Sequence, residues 1–145
     1  MRSLNKDSVE VGHFSGGKHT DSPYSNVQLM ALHNVGWGNR PARRVRAVLK
    51  HQNQRLTGIE YSTLMKAWGS SDLSVAANER LLEGYGKVLA QKEKDIFGKI
   101  GPDMPATESP KKVGVMGPNA PLVDTGELRE AIRYRTSISK TEKKA

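Results

Sequence analysis

The chain has 145 residues, a formal net charge of +8 at pH 7 and no cysteine. This length predicts one domain, and the lack of cysteine excludes disulfide bonds and thiolate metal sites. The sequence contains no run of roughly 18 apolar residues, and its first residues lack the apolar core of a secretory signal, so we expect a soluble protein.

The positive charge is concentrated in the two ends of the chain. Residues 1–50 carry a net charge of +5, residues 51–110 of −1 and residues 111–145 of +4. This distribution permits contact with a nucleic-acid backbone or with an acidic protein, although it is equally typical of a solvated surface. Aromatic residues make up only 6% of the chain, which favours a subunit that gains part of its stability from association.

The first third of the chain predicts one strand and one helix. Residues 8–14 have the composition of a strand, and residues 15–23 form a polar loop that we expect to be mobile. A helix is predicted over residues 24–35, with Ser22 as its cap and Gly36 as its stop.

The middle of the chain predicts further helices. One is predicted over residues 42–54, and residues 59–68 have helical spacing between two glycines. The longest element is an amphipathic helix over residues 73–99, whose charged residues should face solvent. Gly84 and Gly86 lower its helix propensity, so we expect another backbone to approach closely there. Its apolar stripe is predicted to comprise Leu81, Tyr85, Val88 or Leu89, Ile96 and Ile100.

The last third begins with a loop at residues 101–112, also expected to be mobile, and a candidate strand at residues 113–116. In the next segment Asp124 is placed to cap a short helix, and Glu127 stands where a capping box has its carboxylate. Residues 132–138 alternate as a half-buried strand does. The predicted capping turn comprises Asp124, Thr125, Gly126 and Glu127.

Leu128 and Ile132 lie four residues apart, so they are predicted to share one face of the short helix. No internal repeat divides the chain. We therefore predict a single domain over residues 1–139, followed by a frayed basic tail at residues 140–145.

Two short patterns look catalytic, and neither is complete. Residues 12–19 have the spacing of a phosphate-binding loop, but His19 stands where a Ser or Thr would bind magnesium. Residues 122–126 match the motif around the catalytic aspartate of retropepsin-like proteases, but too few residues follow to complete such a fold. The histidines show no i, i+4 pair suited to a metal. The sequence therefore predicts no enzyme, no cofactor and no metal site.

The best candidate for a functional surface is an arginine cluster that follows the first predicted helix. Pro41 makes its start rigid, and guanidinium groups bind carboxylates and phosphates alike. Three interpretations remain open: an interface with a neighbouring subunit, contact with DNA, or simple solvation. If the segment is helical after Pro41, its second and fourth arginines share a face. The cluster comprises Arg40, Arg43, Arg44 and Arg46.

Five segments, in order, carry a resemblance to a family of tailed-bacteriophage proteins called tail-completion, neck or head–tail joining proteins. Residues 121–129 (PLVDTGELR) resemble its C-terminal signature, and residues 9–14 its opening strand. Residues 27–37 resemble its short helix ending in glycine, residues 40–43 its arginine-proline element, and residues 104–107 its proline-threonine loop. The chain departs from the family pattern at Arg44-Val45, where a second proline and a phenylalanine are usual.

The resemblance implies an α+β subunit, in which a small mixed or antiparallel sheet is backed by helices that include one long amphipathic helix. It implies a ring of six or twelve copies at the junction of capsid and tail. The implied partners are a head-completion, stopper or portal-side ring and the tail tube or tail terminator, with DNA in the channel and no membrane. Such a protein would assemble in the host cytoplasm and remain in the virion neck. The alternative from composition alone is a free basic nucleic-acid-binding protein.

Overall fold

The computed structural model describes residues 8–14, 19–20, 22–38, 40–53, 62, 75–101, 104–105 and 126–145. Within these residues the elements follow one another as β1 (Val9–Gly12), α1 (Asn26–Val35), α2 (Val45–Asn53), α3 (Val75–Ile96), α4 (Glu127–Glu130) and β2 (Arg133–Thr136). The predicted segment at 59–68 apart from residue 62, the predicted strand at 113–116, most of the two predicted loops, and Asp124 and Thr125 lie outside the described residues.

The two ends of the chain form one sheet. β1 and β2 pair in antiparallel fashion, with Val9 opposite Thr136 and Val11 opposite Tyr134. Along β2 the side chains alternate between partly exposed and buried, as the period of two requires. A small antiparallel sheet combined with a long helix confirms the predicted α+β fold.

Helix α3 packs against both strands and against α2. It confirms the predicted long helix, but the predicted stripe is wrong at three positions: Leu81 and Tyr85 are only partly buried, and Ile100 lies beyond the helix and is 66% exposed. The predicted solvent-facing charges are also wrong in part. The buried positions of α3 are Ala77, Asn78, Leu82, Gly86, Val88, Leu89, Ala90, Lys92, Glu93, Lys94 and Ile96. Because the helix is covered on more than one side, its buried surface is wider than a single stripe.

Gly86 lets the sheet approach α3. A Cβ atom at this position would lie 2.5 Å from Cδ2 of Tyr134 and 2.8 Å from Cγ2 of Val9. The close approach predicted for Gly86 is therefore present, but it is made by side chains of the sheet and not by another backbone.

Helix α1 begins later than predicted. Its cap is Ser25, whose hydroxyl accepts a hydrogen bond from the backbone N–H of Gln28, while the Gln28 side chain accepts one from the Ser25 N–H. This reciprocal capping box satisfies two N–H groups, whereas Ser22 only precedes the helix. The predicted stop at Gly36 is confirmed: its φ of 78° is one that glycine adopts readily.

The C-terminal residues complete the core. Leu128 is 6% exposed and Ile132 is fully buried, which confirms the apolar face predicted from their spacing. They belong to a cluster of buried side chains that draws on helices α1 to α4 and on β2. Its members are Leu29, Val45, Ala90, Ile96, Phe97, Met104, Leu128, Ile132 and Tyr134.

The tail predicted to fray is instead attached to the sheet. Lys143 pairs with Tyr134 through two backbone hydrogen bonds, of 2.9 and 2.8 Å. The Lys143 side chain forms an ion pair with Glu83 of α3, and Ala145 packs against the core. The pairing satisfies backbone groups on the free edge of β2, which explains why the last residues are held.

Candidate functional site

The connection between α1 and α2 folds back on the end of α1. A Cβ atom at Gly36 would lie 2.9 Å from the backbone nitrogen of Ala42 and 3.0 Å from the carbonyl oxygen of Arg40. No other residue fits this contact without a shift of the backbone, and the positive φ of Gly36 requires glycine as well. The glycine stop therefore also positions the arginine cluster.

Arg40 is displayed on an aromatic support. Its backbone pairs with that of Trp37, and its guanidinium carbon lies 4.6 Å from the centre of the Trp37 ring. His33 contacts the same indole edge-on, with ring centroids 4.8 Å apart. Arg40 is exposed, so this cation–π contact orients the guanidinium group without removing it from solvent.

Arg43 has a structural role in this fold. It is 4% exposed, its Nε donates to the carbonyl oxygen of Pro105 at 3.0 Å, and its backbone N–H donates to the carbonyl of His33 at 2.7 Å. The predicted shared face of Arg43 and Arg46 is wrong, because α2 begins only at Val45 and Arg43 precedes the helix. Arg43 therefore holds the connection to a distant segment and is not displayed to a partner.

Arg44 and Arg46 are exposed at the start of α2. They line a shallow cavity of about 430 Å³ together with Asn34, Val35, Ala42 and Ala47. Val35 is 70% exposed. Residues 22–53 contain five basic residues and no acidic one. We call the surface formed by Val35, Arg40, Arg44 and Arg46 the basic surface.

The arginines of the basic surface form no ion pair within the part of the chain that the structure describes. The ion pairs there join other residues, namely His19–Glu127, Lys94–Glu130, Arg129–Glu130, Arg135–Glu10 and Lys143–Glu83. Of the four predicted arginines, the structure thus places three at the surface and one inside.

A second cavity, of about 590 Å³, lies beside the basic surface, between α1, α2 and the sheet. We call it the groove. Its walls are largely apolar, and Asn34, Val35 and Arg46 line both cavities. The apolar lining comprises Val11, Phe14, Val27, Met30, Ala31, Val35, Val45 and Leu49; the polar and charged lining comprises Glu10, His13, Asn34, Arg46, Glu93 and Arg135.

Glu93 of α3 is the unusual member of the groove. It is 5% exposed, and its Oε2 atom is buried without a hydrogen-bond partner. Burial raises the pKa of Glu93 to about 7, and the positive charge of Arg46 opposes that rise. A carboxyl group in this state changes its charge near neutral pH.

The ionisable groups that residues 10–14 and β2 contribute to the groove are bound to partners within the chain. Arg135 is ion-paired with Glu10, and its guanidinium carbon lies 4.3 Å from the centre of the Phe14 ring. His13 donates from Nε2 to the carbonyl oxygen of Leu128 at 2.6 Å. Burial lowers the pKa of His13, so the imidazole is neutral at physiological pH.

The predicted capping turn is described only from Gly126 onward. Helix α4 begins at Glu127, with Gly126 in the cap position at a φ of 83° and no side-chain cap hydrogen bond. Glu127 instead accepts a hydrogen bond from the backbone N–H of Thr20 at 3.0 Å and lies 3.9 Å from Nε2 of His19. Its carboxylate thus attaches residues 19–20 to α4.

The histidines do not assemble a metal site within the described ranges, where no group of three or more His, Asp or Glu side chains converges. Burial, with Arg43, Arg40 and His19 nearby, lowers the pKa of His33 to about 4. No helix in the described part of the chain has the length and apolar character needed to cross a membrane.

Sequence reasoning missed Glu93 and the groove. A signal was present, because Leu82, Gly86, Leu89, Glu93 and Ile96 follow one another at spacings of four and three. This stripe competes with the predicted one, which starts one residue earlier at Leu81. Only the position of the sheet against Gly86 selects between them.

Comparison with known proteins provides no relative. No protein-family model, no curated protein and no solved structure matches the chain.

Proposed function

We propose that this protein is a structural subunit of a tailed-bacteriophage neck, which completes the tail and joins it to the DNA-filled head as part of a ring-shaped conduit. The proposal rests on the five ordered segments that resemble tail-completion and neck proteins. The α+β fold, with its small antiparallel sheet and long helix, agrees with what that resemblance implies.

The observation that carries the proposal further is the basic surface. Arg40, Arg44 and Arg46 are exposed beside the exposed Val35, and no acidic residue occurs between positions 22 and 53. A surface with one sign of charge around an apolar residue favours association with a complementary surface of another subunit. In a ring, such contacts are heterologous, and they close when the rotation between subunits allows it.

The first experiment measures the mass of the purified protein by light scattering with negative-stain imaging. The protein is examined alone and after mixing with the tail-tube and head-completion proteins encoded beside it. We expect a closed ring, or a monomer that forms one on tube ends. A protein that stays monomeric and binds neither partner contradicts the proposal.

A paired charge reversal tests the basic surface itself. The double variant Arg44→Glu/Arg46→Glu should lose ring formation or partner binding, because it reverses the field of the surface. The control Lys140→Glu/Lys144→Glu makes the same change in net charge at two exposed residues of the C-terminal tail and should assemble normally. If both double variants form rings and bind partners equally well, the basic surface is not part of the interface.

The same unpaired arginines also support the second candidate, a free basic nucleic-acid-binding protein. Its binding to duplex DNA would weaken steeply with salt, with a logarithmic slope of about −0.9 for each phosphate neutralised. A persistent monomer that binds duplex DNA with such a slope, and loses it in Arg44→Glu/Arg46→Glu, would favour this function over the neck.

A further inference from the structure

We propose that the groove is a binding site for a lysine or arginine side chain of a protein partner, with the Glu93 carboxylate as its counter-charge. This inference concerns a different cavity from the basic surface and stands whether or not the protein belongs to a phage neck. The expected ligand is a cationic group on an aliphatic stem.

The first argument is the unsatisfied carboxyl group. Glu93 is 5% exposed, its Oε2 has no hydrogen-bond partner, and the residue lines the groove. Buried polar groups are almost always hydrogen-bonded in folded proteins, because an unpaired one loses its hydration without compensation. A cationic group that enters the groove supplies the opposite charge to this carboxyl group.

The second argument is the shape and lining of the cavity. A volume of about 590 Å³ accommodates a long side chain, and the walls contain Val11, Met30 and Leu49 among other apolar residues. Lysine and arginine bury their methylene stems along apolar surface while directing the charge elsewhere. The groove offers apolar walls for the stem and a carboxyl group for the charged end.

The third argument is the state of the neighbouring charges. On the sheet, Arg135 is paired with Glu10, and His13 is bonded to the carbonyl of Leu128 and neutral. The only polar residue that helix α1 contributes to the groove is the uncharged Asn34, and on α3 Lys94 is bonded to Glu130.

The last charged residue of the groove is Arg46 of α2. It is exposed and acts on Glu93 electrostatically, but it is not within ion-pair distance. Its charge weakens the attraction for a second cation without occupying the site. Removing this charge should therefore strengthen the binding of a cation and weaken the binding of an anion.

Binding of a cation requires the ionised form of Glu93. Since the pKa of this group lies at about 7, most molecules hold a neutral carboxyl at pH 6 and a charged one at pH 8. The affinity for a cation should accordingly rise by about tenfold between these two values. An anionic ligand would show the opposite dependence.

The test uses small probes and the full chain. Amide chemical shifts of the labelled protein are followed during titration with N-acetyl-lysine N-methylamide, and in parallel with the norleucine analogue, which keeps an aliphatic stem but lacks the ammonium group. We expect the lysine probe to shift residues of the groove at pH 8, to bind about tenfold more weakly at pH 6, and to exceed the norleucine probe clearly.

Three variants define the site. Glu93→Gln keeps the shape and removes the charge, so it should abolish the preference for lysine over norleucine. Glu142→Gln removes a charge at an exposed residue of the tail and should behave as the wild type does. Arg46→Gln should bind the lysine probe more tightly than the wild type.

Several outcomes would overturn the inference. These are the absence of shifts in the groove at the solubility limit of the lysine probe, equal binding of the two probes, or unchanged lysine binding in Glu93→Gln. Weaker binding of the lysine probe in Arg46→Gln would also contradict it, and preferential binding of propionate to the wild type would identify an anion site instead.

Discussion

The sheet side and the α1–α2 side of the molecule differ in whether their charged residues have partners within the chain. On the sheet side, charged residues have partners within the chain: Glu10–Arg135, Glu83–Lys143 and Lys94–Glu130. On the α1–α2 side, Arg44 and Arg46 have no ion pair in the described part of the chain, and the buried Glu93 has an unpaired oxygen.

The difference teaches where each region finds its stability. The sheet joins both ends of the chain, so its side chains are committed to holding one fold. The α1–α2 side carries charge and exposed apolar area that the fold itself does not use, and such features mark surfaces for other molecules. Four pairs of variants test that division.

The largest effect should follow from opening the core beneath the sheet. Ile132→Ala removes a fully buried side chain, so we expect the free energy of unfolding to fall by about 4 kcal/mol. The matched control is Ile100→Ala, at a residue 66% exposed, which should change stability by no more than about 0.5 kcal/mol. Urea denaturation measures both. Similar losses in the free energy of unfolding for the two variants would show that Ile132 is not part of the core beneath the sheet.

The next effect concerns the buried charge on the α1–α2 side. The folded-state pKa of Glu93 is raised from 4.5 to about 7, so the folded state binds an extra proton between these values and loses stability as the pH rises through them. Relative to the wild type, Glu93→Gln should therefore gain about 3 kcal/mol between pH 4.5 and pH 8.

The measurement for Glu93 is urea denaturation of wild type and variant across this pH range. Glu142→Gln, at an exposed carboxylate, serves as the control and should follow the wild-type curve. A constant difference between wild type and Glu93→Gln would show that the pKa of Glu93 is the same in the folded and the unfolded state, which would contradict the contrast between the two sides.

A smaller effect should separate two adjacent arginines. Arg43→Met leaves the carbonyl of Pro105 without its donor, and we expect a loss of about 2 kcal/mol in the free energy of unfolding. Arg44→Met changes an exposed residue and should stay within about 0.5 kcal/mol of the wild type. A larger loss of stability for Arg44→Met than for Arg43→Met, in thermal or urea unfolding, would contradict the structural role of Arg43 and the exposed position of Arg44.

The smallest effect should come from the contact between α3 and the sheet. Gly86→Ala gains about 1 kcal/mol of helix propensity but forces a Cβ atom against Tyr134 and Val9, for a net loss of about 1 kcal/mol. Gly101→Ala is the control, because a Cβ atom there meets nothing within 4 Å. A more stable Gly86→Ala protein would show that the sheet can move away from α3.

Several features were predictable from the sequence because they depend on neighbours in the chain. Gly36 ends α1 through its own backbone freedom, and the spacing of Leu128 and Ile132 defines an apolar face within one turn. The capping box of Ser25 and Gln28 was equally local, and it was missed because Ser22-Pro23 offered a competing start.

The candidate site was less predictable. The arginine cluster and its exposure at Arg40, Arg44 and Arg46 could be read from composition, but the groove could not. Glu93 belongs to a helix whose charged residues were expected in solvent, and its burial results from α2 and the sheet packing on two sides of that helix.

By itself, the sequence determined the fold class, the end of α1, the long helix and the arginine-rich connection. These features arise from caps, glycines and periodic patterns within a few residues of one another. Only the tertiary structure decided that Arg43 is buried, that Gly86 faces the sheet, that the tail is held and that Glu93 lies beside a cavity. Each of these depends on residues far apart in the chain. Arg43 and Pro105, for example, are separated by 62 in the sequence numbering. Local propensity contains no information about such contacts.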